Sequence, residues 1–250
     1  MLELKNVSAG YGDQKVLDNV SVSFEKGRLT AIIGKNGCGK STLLKTALGL
    51  LPAGSGEVLV DGENIVKLKR NDIAKKVSYL SQGRNVPDMT VGQLVLHGRF
   101  PYLDYPRRYT MKDKEIAGNA MEKMGISHLA DKPIYTLSGG MRQSAYIAMA
   151  LAQDTDFIFL DEPTTYLDIT NQIELMRNLR ILAENGKGII TVLHDLPMAF
   201  NFSDEIVVMS DGRVVQSNTP SAIASCDAVY NLFGVKIKES DGNFNIDIFR

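Results

Sequence analysis

Apolar and polar residues alternate through the first two dozen positions, the pattern of strands with one buried face. Leu2, Leu4 and Val7 open one such strand, and Val16 to Phe24 forms a second after a Gly-rich turn, a pair that reads as antiparallel. Lys26-Gly27 turns the chain into Leu29 to Ile33, a continuous apolar run that suits a strand buried on both faces. A helical pattern over Leu43 to Leu50 stops at Leu51-Pro52-Ala53-Gly54-Ser55-Gly56, after which Glu57 to Val60 with Asp61-Gly62 predicts a strand and turn. Lys75 to Leu80 predicts another strand. From Gly83 the character changes: Pro87, Pro101 and Pro106 punctuate a polar stretch with helical patterns at Val91 to His97 and Lys112 to Met124. Gly83 to about Leu137 reads as a helical insertion, since no Gly/Ser-rich or charged spacer marks a linker.

A further helix is expected from Ser138 through Ala152, with alanine and methionine on one face. Phe157-Ile158-Phe159-Leu160 then delivers Asp161-Glu162-Pro163 to a strand end. After a helix over Asp168 to Ala183, the strand Gly188 to Leu193 delivers His194-Asp195 to the same edge. A late hairpin is expected from Glu205 to Met209 and Arg213 to Gln216 around Asp211-Gly212, followed by a helix over Ser221 to Phe233 and a final strand over Asn243 to Phe249. Strands recurring after helices make a largely parallel sheet, so the fold class is α/β.

The most specific chemistry lies at Gly34 to Thr42, Gly-Lys-Asn-Gly-Cys-Gly-Lys-Ser-Thr, between the buried strand and a helix. That is a P-loop in its expected setting. Its glycines let successive N–H groups turn inward toward phosphate oxygens, and the following helix adds its positive end. Lys40 is expected to reach the β- and γ-phosphates and Ser41 to ligate Mg²⁺. Asp161, at the tip of a buried strand, suits Mg²⁺ held opposite Ser41, and Glu162 is then placed to polarise an attacking water. His194 is suited to hydrogen-bond a γ-phosphate oxygen, or else is simply a satisfied histidine. Tyr11 is either a base-stacking ring or a surface residue.

Composition narrows the class. With 250 residues, 44% hydrophobic and 23% charged, a formal charge of −1 and a pI near 6.3, the chain is expected to be a soluble domain with no nucleic-acid partner. It has no apolar stretch of the roughly 18 to 20 residues needed to span a bilayer and no signal-peptide layout, so a cytoplasmic location is expected. Cys38 and Cys226 form no metal or disulfide pattern and are expected as reduced thiols.

The discriminating stretch is Leu137-Ser138-Gly139-Gly140-Met141-Arg142-Gln143, a second anion-binding helix start about 20 residues ahead of the Asp161 strand. One nucleotide rarely needs two such sites from one subunit. Behind a P-loop and Gln82, this stretch resembles the signature motif of the ABC transporter ATPases, and the resemblance covers roughly residues 1 to 235 with motifs in the family's order. It implies a P-loop NTPase core with a mostly parallel sheet, an N-terminal antiparallel β subdomain and an inserted α-helical subdomain. As a single domain over 1–250, the core would be 1–82 and 153–235, the helical part about 83–152 and a tail about 236–250.

The resemblance further implies ATP and Mg²⁺ as cofactors. Tyr11 would stack on adenine; Val16, Asn36, Gly37, Cys38, Gly39, Lys40, Ser41 and Thr42 would line the nucleotide; Gln82 would ligate Mg²⁺ and water. Asp161 matches the Walker B aspartate, Glu162 the catalytic glutamate, Asp168 the D-loop aspartate and His194 the switch histidine. In this family two subunits pack head to tail, so Ser138, Gly139 and Gly140 of one would bind the γ-phosphate held by the other. The implied partners are a second copy, membrane-spanning permease subunits and, indirectly, an extracytoplasmic substrate-binding protein. The chain would thus sit on the cytoplasmic face of the membrane.

Two positions depart from the family pattern: Met141 stands where glutamine is usual, and Ser144 where a basic residue is common. Methionine cannot donate a hydrogen bond to ribose. Cys38 reads as filler whose thiol, if beside the phosphates, would make activity sensitive to alkylation. Ser81-Gln82 with Pro87, Thr90-Val91, Leu94-Val95 and Gly98-Arg99-Phe100-Pro101 resembles ATPases for iron–siderophore, haem and cobalamin uptake, as does Thr164-Thr165-Tyr166-Leu167-Asp168-Ile169. The alternatives are an importer ATPase for another cargo and a soluble ABC-type assembly or repair ATPase. A P-loop GTPase or kinase lacks support, because no Asn-Lys-x-Asp guanine reader is present.

Overall fold

The computed structural model describes residues 1–83, 86–165 and 167–247. In chain order it places β1 (Leu2–Tyr11), β2 (Gln14–Phe24), β3 (Leu29–Gly34), α1 (Lys40–Ala47), β4 (Ser55–Val60), β5 (Glu63–Asn64), α2 (Arg70–Lys76) and β6 (Val77–Leu80). Three helices follow: α3 (Val91–His97), α4 (Met111–Lys123) and α5 (Gly139–Ala152). The chain then returns through β7 (Phe157–Asp161), α6 (Ile169–Glu184), β8 (Gly188–Val192), α7 (Leu196–Phe202), β9 (Glu205–Ser210) and β10 (Arg213–Asn218). It closes with α8 (Pro220–Ala224), α9 (Ala228–Phe233), β11 (Lys236–Ser240) and β12 (Asn243–Asp247).

A six-stranded sheet runs β10-β9-β3-β8-β7-β6, parallel throughout except for β10 against β9. Its central strands read as unbroken apolar runs because both faces are covered. Along β7, Phe157 and Phe159 point into one core with Ile190 and Val192 of β8, while Ile158 and Leu160 point into the other with Ile189. The first core lies under α1 and the antiparallel sheet β2-β1-β4-β5, and the second under α3 to α7. All the strand ends that carry site residues therefore open at one edge of a sheet clamped on both sides.

The helical segment is pinned by residues that had been singled out only as a pattern. A Cβ on Gly98 would lie 2.2 Å from the carbonyl oxygen of Met149, so only glycine lets the end of α3 abut α5. Arg99 is buried. Its Nε donates to Asp113 Oδ1 at 3.1 Å and its NH1 to the Ala152 carbonyl at 2.9 Å, tying the start of α4 to the last turn of α5. Thr110 and Asp113 cap α4 reciprocally. Substituting Gly98→Ala is expected to lower stability by about 1–3 kcal/mol through overpacking, measured by urea unfolding.

Four expectations change. The strand expected from Lys75 begins at Val77, because Lys75 and Lys76 form the last turn of α2. The helix expected from Leu43 begins at Lys40, which puts the P-loop lysine, serine and threonine inside its first turn. The helix over Ser221 to Phe233 is two short helices separated at Ser225 to Asp227. The final strand is one arm of a hairpin with β11, held to α7 by Asn201, whose side chain donates to the Phe244 carbonyl and accepts from its N–H, both at 2.9 Å. The part of that strand beyond Asp247, and Tyr166 of the stretch before α6, lie outside the described residues. Among the described residues no helix is long and apolar enough to cross a membrane.

Candidate functional site

The P-loop joins β3 to α1 with a backbone only glycine tolerates at its critical points. Gly37 has φ 80°, and Gly39, the residue capping α1, has φ 104°. Gly34 is excluded from substitution by packing: a Cβ there would meet the Met209 carbonyl oxygen at 2.5 Å. Lys40 is buried and its Nζ donates to the carbonyls of Gly34 at 2.8 Å and Lys35 at 3.1 Å, so the loop curls around its own lysine. Gly212, in the turn between β9 and β10, braces the loop from behind. Its N–H donates to the Cys38 carbonyl at 3.0 Å, its carbonyl accepts from Asp18 N–H at 2.9 Å, and at φ 76° a Cβ would strike the Val16 carbonyl.

A cleft of about 370 Å³ is lined by Val16, Asn36, Gly37, Gly39, Lys40, Ser41, Thr42, Gln82, Glu162 and His194. The sheet edge thus assembles residues spread over most of the chain. Ser41 Oγ donates to Asp161 Oδ1 at 3.2 Å. Burial pushes the Asp161 carboxyl above its usual value, against the hydrogen bonds from Ser41 and Tyr79, and the neighbouring Glu162 adds to the rise. A buried carboxylate facing a hydroxyl across 3.2 Å offers two hard oxygen donors, a chemistry that fits Mg²⁺, and Gln82 lines the same cleft as Ser41. Among the described residues no cluster of three His, Cys, Asp or Glu exists for a softer metal.

Glu162 occupies a conformation its side chain does not favour. Seven non-glycine residues have positive φ among those described; six are Asn or Asp, which tolerate the left-handed region, and the exception is Glu162 at 52°. Its carboxylate is held from several directions: His194 Nε2 lies 2.6 Å from Oε1, Gln82 Nε2 donates to Oε2, and Thr165 Oγ1 donates to Oε2 at 3.4 Å. Thus Gln82, Glu162 and His194 meet at one point, although 112 positions separate the first from the last.

The remaining residues fall elsewhere. Tyr11 ends β1, half exposed, with Lys45 Nζ of α1 5.9 Å from its ring centre, beside the cleft rather than in its lining. The Cys38 side chain is buried in the core beneath the loop, and burial pushes its thiol up. The expected sensitivity to alkylation therefore does not follow, and Cys38 is absent from the cleft's lining. Ser138 caps α5 by accepting from Met141 N–H at 3.3 Å, and Ser138, Gly139 and Gly140 are absent from the P-loop cleft's lining. Met141 is 45% exposed at that helix start. Asp168 caps α6 through Asn171 N–H at 3.0 Å, which lowers its carboxyl below the usual value. Sequence reading missed Tyr79, whose hydroxyl donates to Asp161 Oδ2 at 3.2 Å, and Thr165. Tyr79 stands one residue from the end of β6, just ahead of Ser81-Gln82, which was the available signal.

Comparison with known proteins places this geometry. The family model described as "ABC transporter" matches residues 17–165. The chain is 41% identical over 236 residues to the "Probable siderophore transport system ATP-binding protein YusV" of Bacillus subtilis (strain 168), covering 94% of this chain and 86% of that one. It is 40% identical over 234 residues to the "Ferric enterobactin transport ATP-binding protein FepC" of Escherichia coli (strain K12), covering 93% and 86%. Among solved structures, "Dimeric Structure of MJ0796, a Bacterial ABC Transporter Cassette" superposes with a TM-score of 0.76 at 28% identity, covering 88% of this chain and 99% of that one.

Proposed function

The chain belongs to the ABC transporter family, and from that membership we propose that it is the ATP-hydrolysing subunit of an importer for a metal chelate of the ferric siderophore type. Two copies would close head to tail on ATP and drive a membrane-spanning permease from its cytoplasmic face, with cargo delivered by an extracytoplasmic binding protein. The observation that carries this reading is the half-built site: one cleft gathers Lys40, Ser41, Gln82, Glu162 and His194, with Asp161 hydrogen-bonded to Ser41 behind it, while the second anion-binding helix start, Ser138 to Gly140, is absent from its lining. A second copy supplies the missing half. The relatives named as siderophore and enterobactin transport proteins support the cargo class.

Within this reading the core is residues 1–82 and 153–235, the helical part about 83–152 docks the permease, and the tail is about 236–250. Gln82 links the helical part to the γ-phosphate. Tyr11 stacks on adenine, the N–H groups of Asn36 to Thr42 cradle the phosphates, and Lys40 leaves the loop carbonyls for β- and γ-oxygens. Ser41, Asp161 and Gln82 would hold Mg²⁺, which supplies positive charge to the phosphate oxygens as the bond breaks. Glu162 takes the proton of the attacking water and His194 donates to the γ-phosphate. In-line transfer of this kind relies on positioning and charge stabilisation more than on covalent chemistry.

Deleting the gene is expected to abolish uptake of one class of ferric chelate, with recovery by the wild-type chain and none by Lys40→Ala, measured with labelled chelate. Uptake of every ferric chelate at the parental rate would overturn the cargo assignment.

A further inference from the structure

Asp161 is buried, and both of its carboxylate oxygens are held. Ser41 Oγ donates to Oδ1 at 3.2 Å, and the Tyr79 hydroxyl donates to Oδ2, also at 3.2 Å. Both donors are neutral. Among the described residues no Lys, Arg or His forms an ion pair with Asp161; His194, at the same sheet edge, is turned to Glu162 instead.

The register of the sheet brings Tyr79 to this carboxylate. Strands β6 and β7 run parallel with Tyr79 beside Phe159, two residues before Asp161. Side chains two apart on a strand share a face, so Phe157, Phe159 and Asp161 stand on the α1 side of the sheet, and Val77 and Tyr79 stand there too. Ser78 and Leu80 take the other face. The Tyr79 ring packs, half-buried, against the core beneath α1, and its hydroxyl extends toward the end of β7, where Asp161 faces Ser41 in the first turn of α1. Packing at this place is satisfied by the ring alone. The hydroxyl serves Asp161.

A carboxylate oxygen held by a neutral hydroxyl keeps its charge for a divalent cation, whereas an ammonium or guanidinium in the same place would neutralise it and compete with the ion. Holding Oδ2 also stops the carboxylate from rotating, which leaves Oδ1 turned to Ser41. The same strand end reaches the neighbouring acid as well: Gln82, three residues on, donates to Glu162 Oε2. The two contacts are carried differently, since Tyr79 lies inside the β6–β7 ladder and Gln82 lies past the end of β6. Gln82 is free to move with the helical part while Tyr79 keeps Asp161 in place.

We propose that Tyr79 is the positioning residue of the metal carboxylate: its hydroxyl pins Asp161 Oδ2 so that Oδ1 and Ser41 Oγ are preset for Mg²⁺, independently of Gln82. This rests on the reading of Ser41 and Asp161 as residues that hold Mg²⁺. Tyr79 is absent from the lining of the ATP cleft and acts through Asp161.

The test is Tyr79→Phe, which removes the hydroxyl and keeps the ring. A partner that orients a metal ligand from behind is worth about 10- to 100-fold in metal affinity. The half-saturating Mg²⁺ concentration for ATP hydrolysis should rise by that factor, with the wild-type maximal rate recovered at saturating Mg²⁺. Mg²⁺ titrated into the chain saturated with a fluorescent non-hydrolysable ATP analogue should show the same shift without turnover, and analogue binding in EDTA should match wild type. Ser78→Ala is the control for general damage to β6: its hydroxyl donates to the Phe157 carbonyl at 3.4 Å on the opposite face and does not touch Asp161, so its Mg²⁺ midpoint should stay at the wild-type value. An unchanged Mg²⁺ midpoint in Tyr79→Phe, or an equal shift in Ser78→Ala, would overturn the proposal. So would a lower rate at every Mg²⁺ concentration with the midpoint unmoved, or weaker analogue binding in EDTA. Wild-type hydrolysis as fast in EDTA as in Mg²⁺ would overturn the reading of the metal site itself, and the proposal with it.

Discussion

Replacing Glu162 with glutamine is expected to lower ATP hydrolysis by about two to four orders of magnitude while leaving ATP binding intact. Glutamine preserves the shape of the side chain but cannot accept the proton of the attacking water. It does keep a carbonyl oxygen for His194 or Gln82, the two groups that now flank the carboxylate. With binding preserved and turnover stalled, a dimer carrying ATP between Lys40 of one copy and Ser138 to Gly140 of the other should accumulate with Mg²⁺ and ATP, seen by size-exclusion chromatography. Undiminished hydrolysis with no dimer would sink the mechanism. The left-handed φ of 52° at Glu162 sharpens the comparison, because glutamine is strained there to about the same degree and the substitution isolates the charge.

Arg99→Met is expected to cost about 3–5 kcal/mol of stability, because it strands the buried Asp113 carboxylate and the Ala152 carbonyl without their donor. Replacing Arg99 and Asp113 together by apolar residues of similar volume should recover much of that loss, a test that separates a stranded charge from general damage. Burial by itself would raise the Asp113 carboxyl, but hydrogen bonds from Thr110 and from Arg99 outweigh it and hold the group below the usual carboxylate range. Its contribution is therefore complete above about pH 4, the ordinary aspartate value, and is lost as pH falls through the lower folded-state value. Acid unfolding of the wild type should show a steep limb in that window that the double variant lacks.

The nucleotide half of the site was legible because its chemistry is local: nine consecutive residues encode the loop, and each acidic or histidine residue follows an apolar run that both cores require. What the sequence withheld was non-local or lacked a pattern. The order β10-β9-β3-β8-β7-β6 depends on which strands meet across the core, and no single strand records its neighbour. Helix α2 has no buried residue and hence no stripe to find, which is why its last lysines were read into β6. Helix α7 spans seven residues with Pro197 in its first turn and was missed, and β11 was invisible because only Ile237 of its five side chains is buried. The Gly98-Arg99 pattern was legible as a resemblance, yet its physical content, a close helix crossing and a buried ion pair, required coordinates.

The turn at Asp211-Gly212 looks like the natural place to insert a fluorescent reporter or to open the chain for circular permutation, since it is a short surface hairpin far from the motifs in sequence. Its hydrogen bonds to Cys38 and Asp18 make it a strut beneath the phosphate loop. A graft there would be felt at the nucleotide. The Asp241-Gly242 turn has the same sequence form, but open space surrounds its glycine and its hairpin is held to Asn201 of α7 with no hydrogen bond to the phosphate loop among the described residues, so that is where a label belongs.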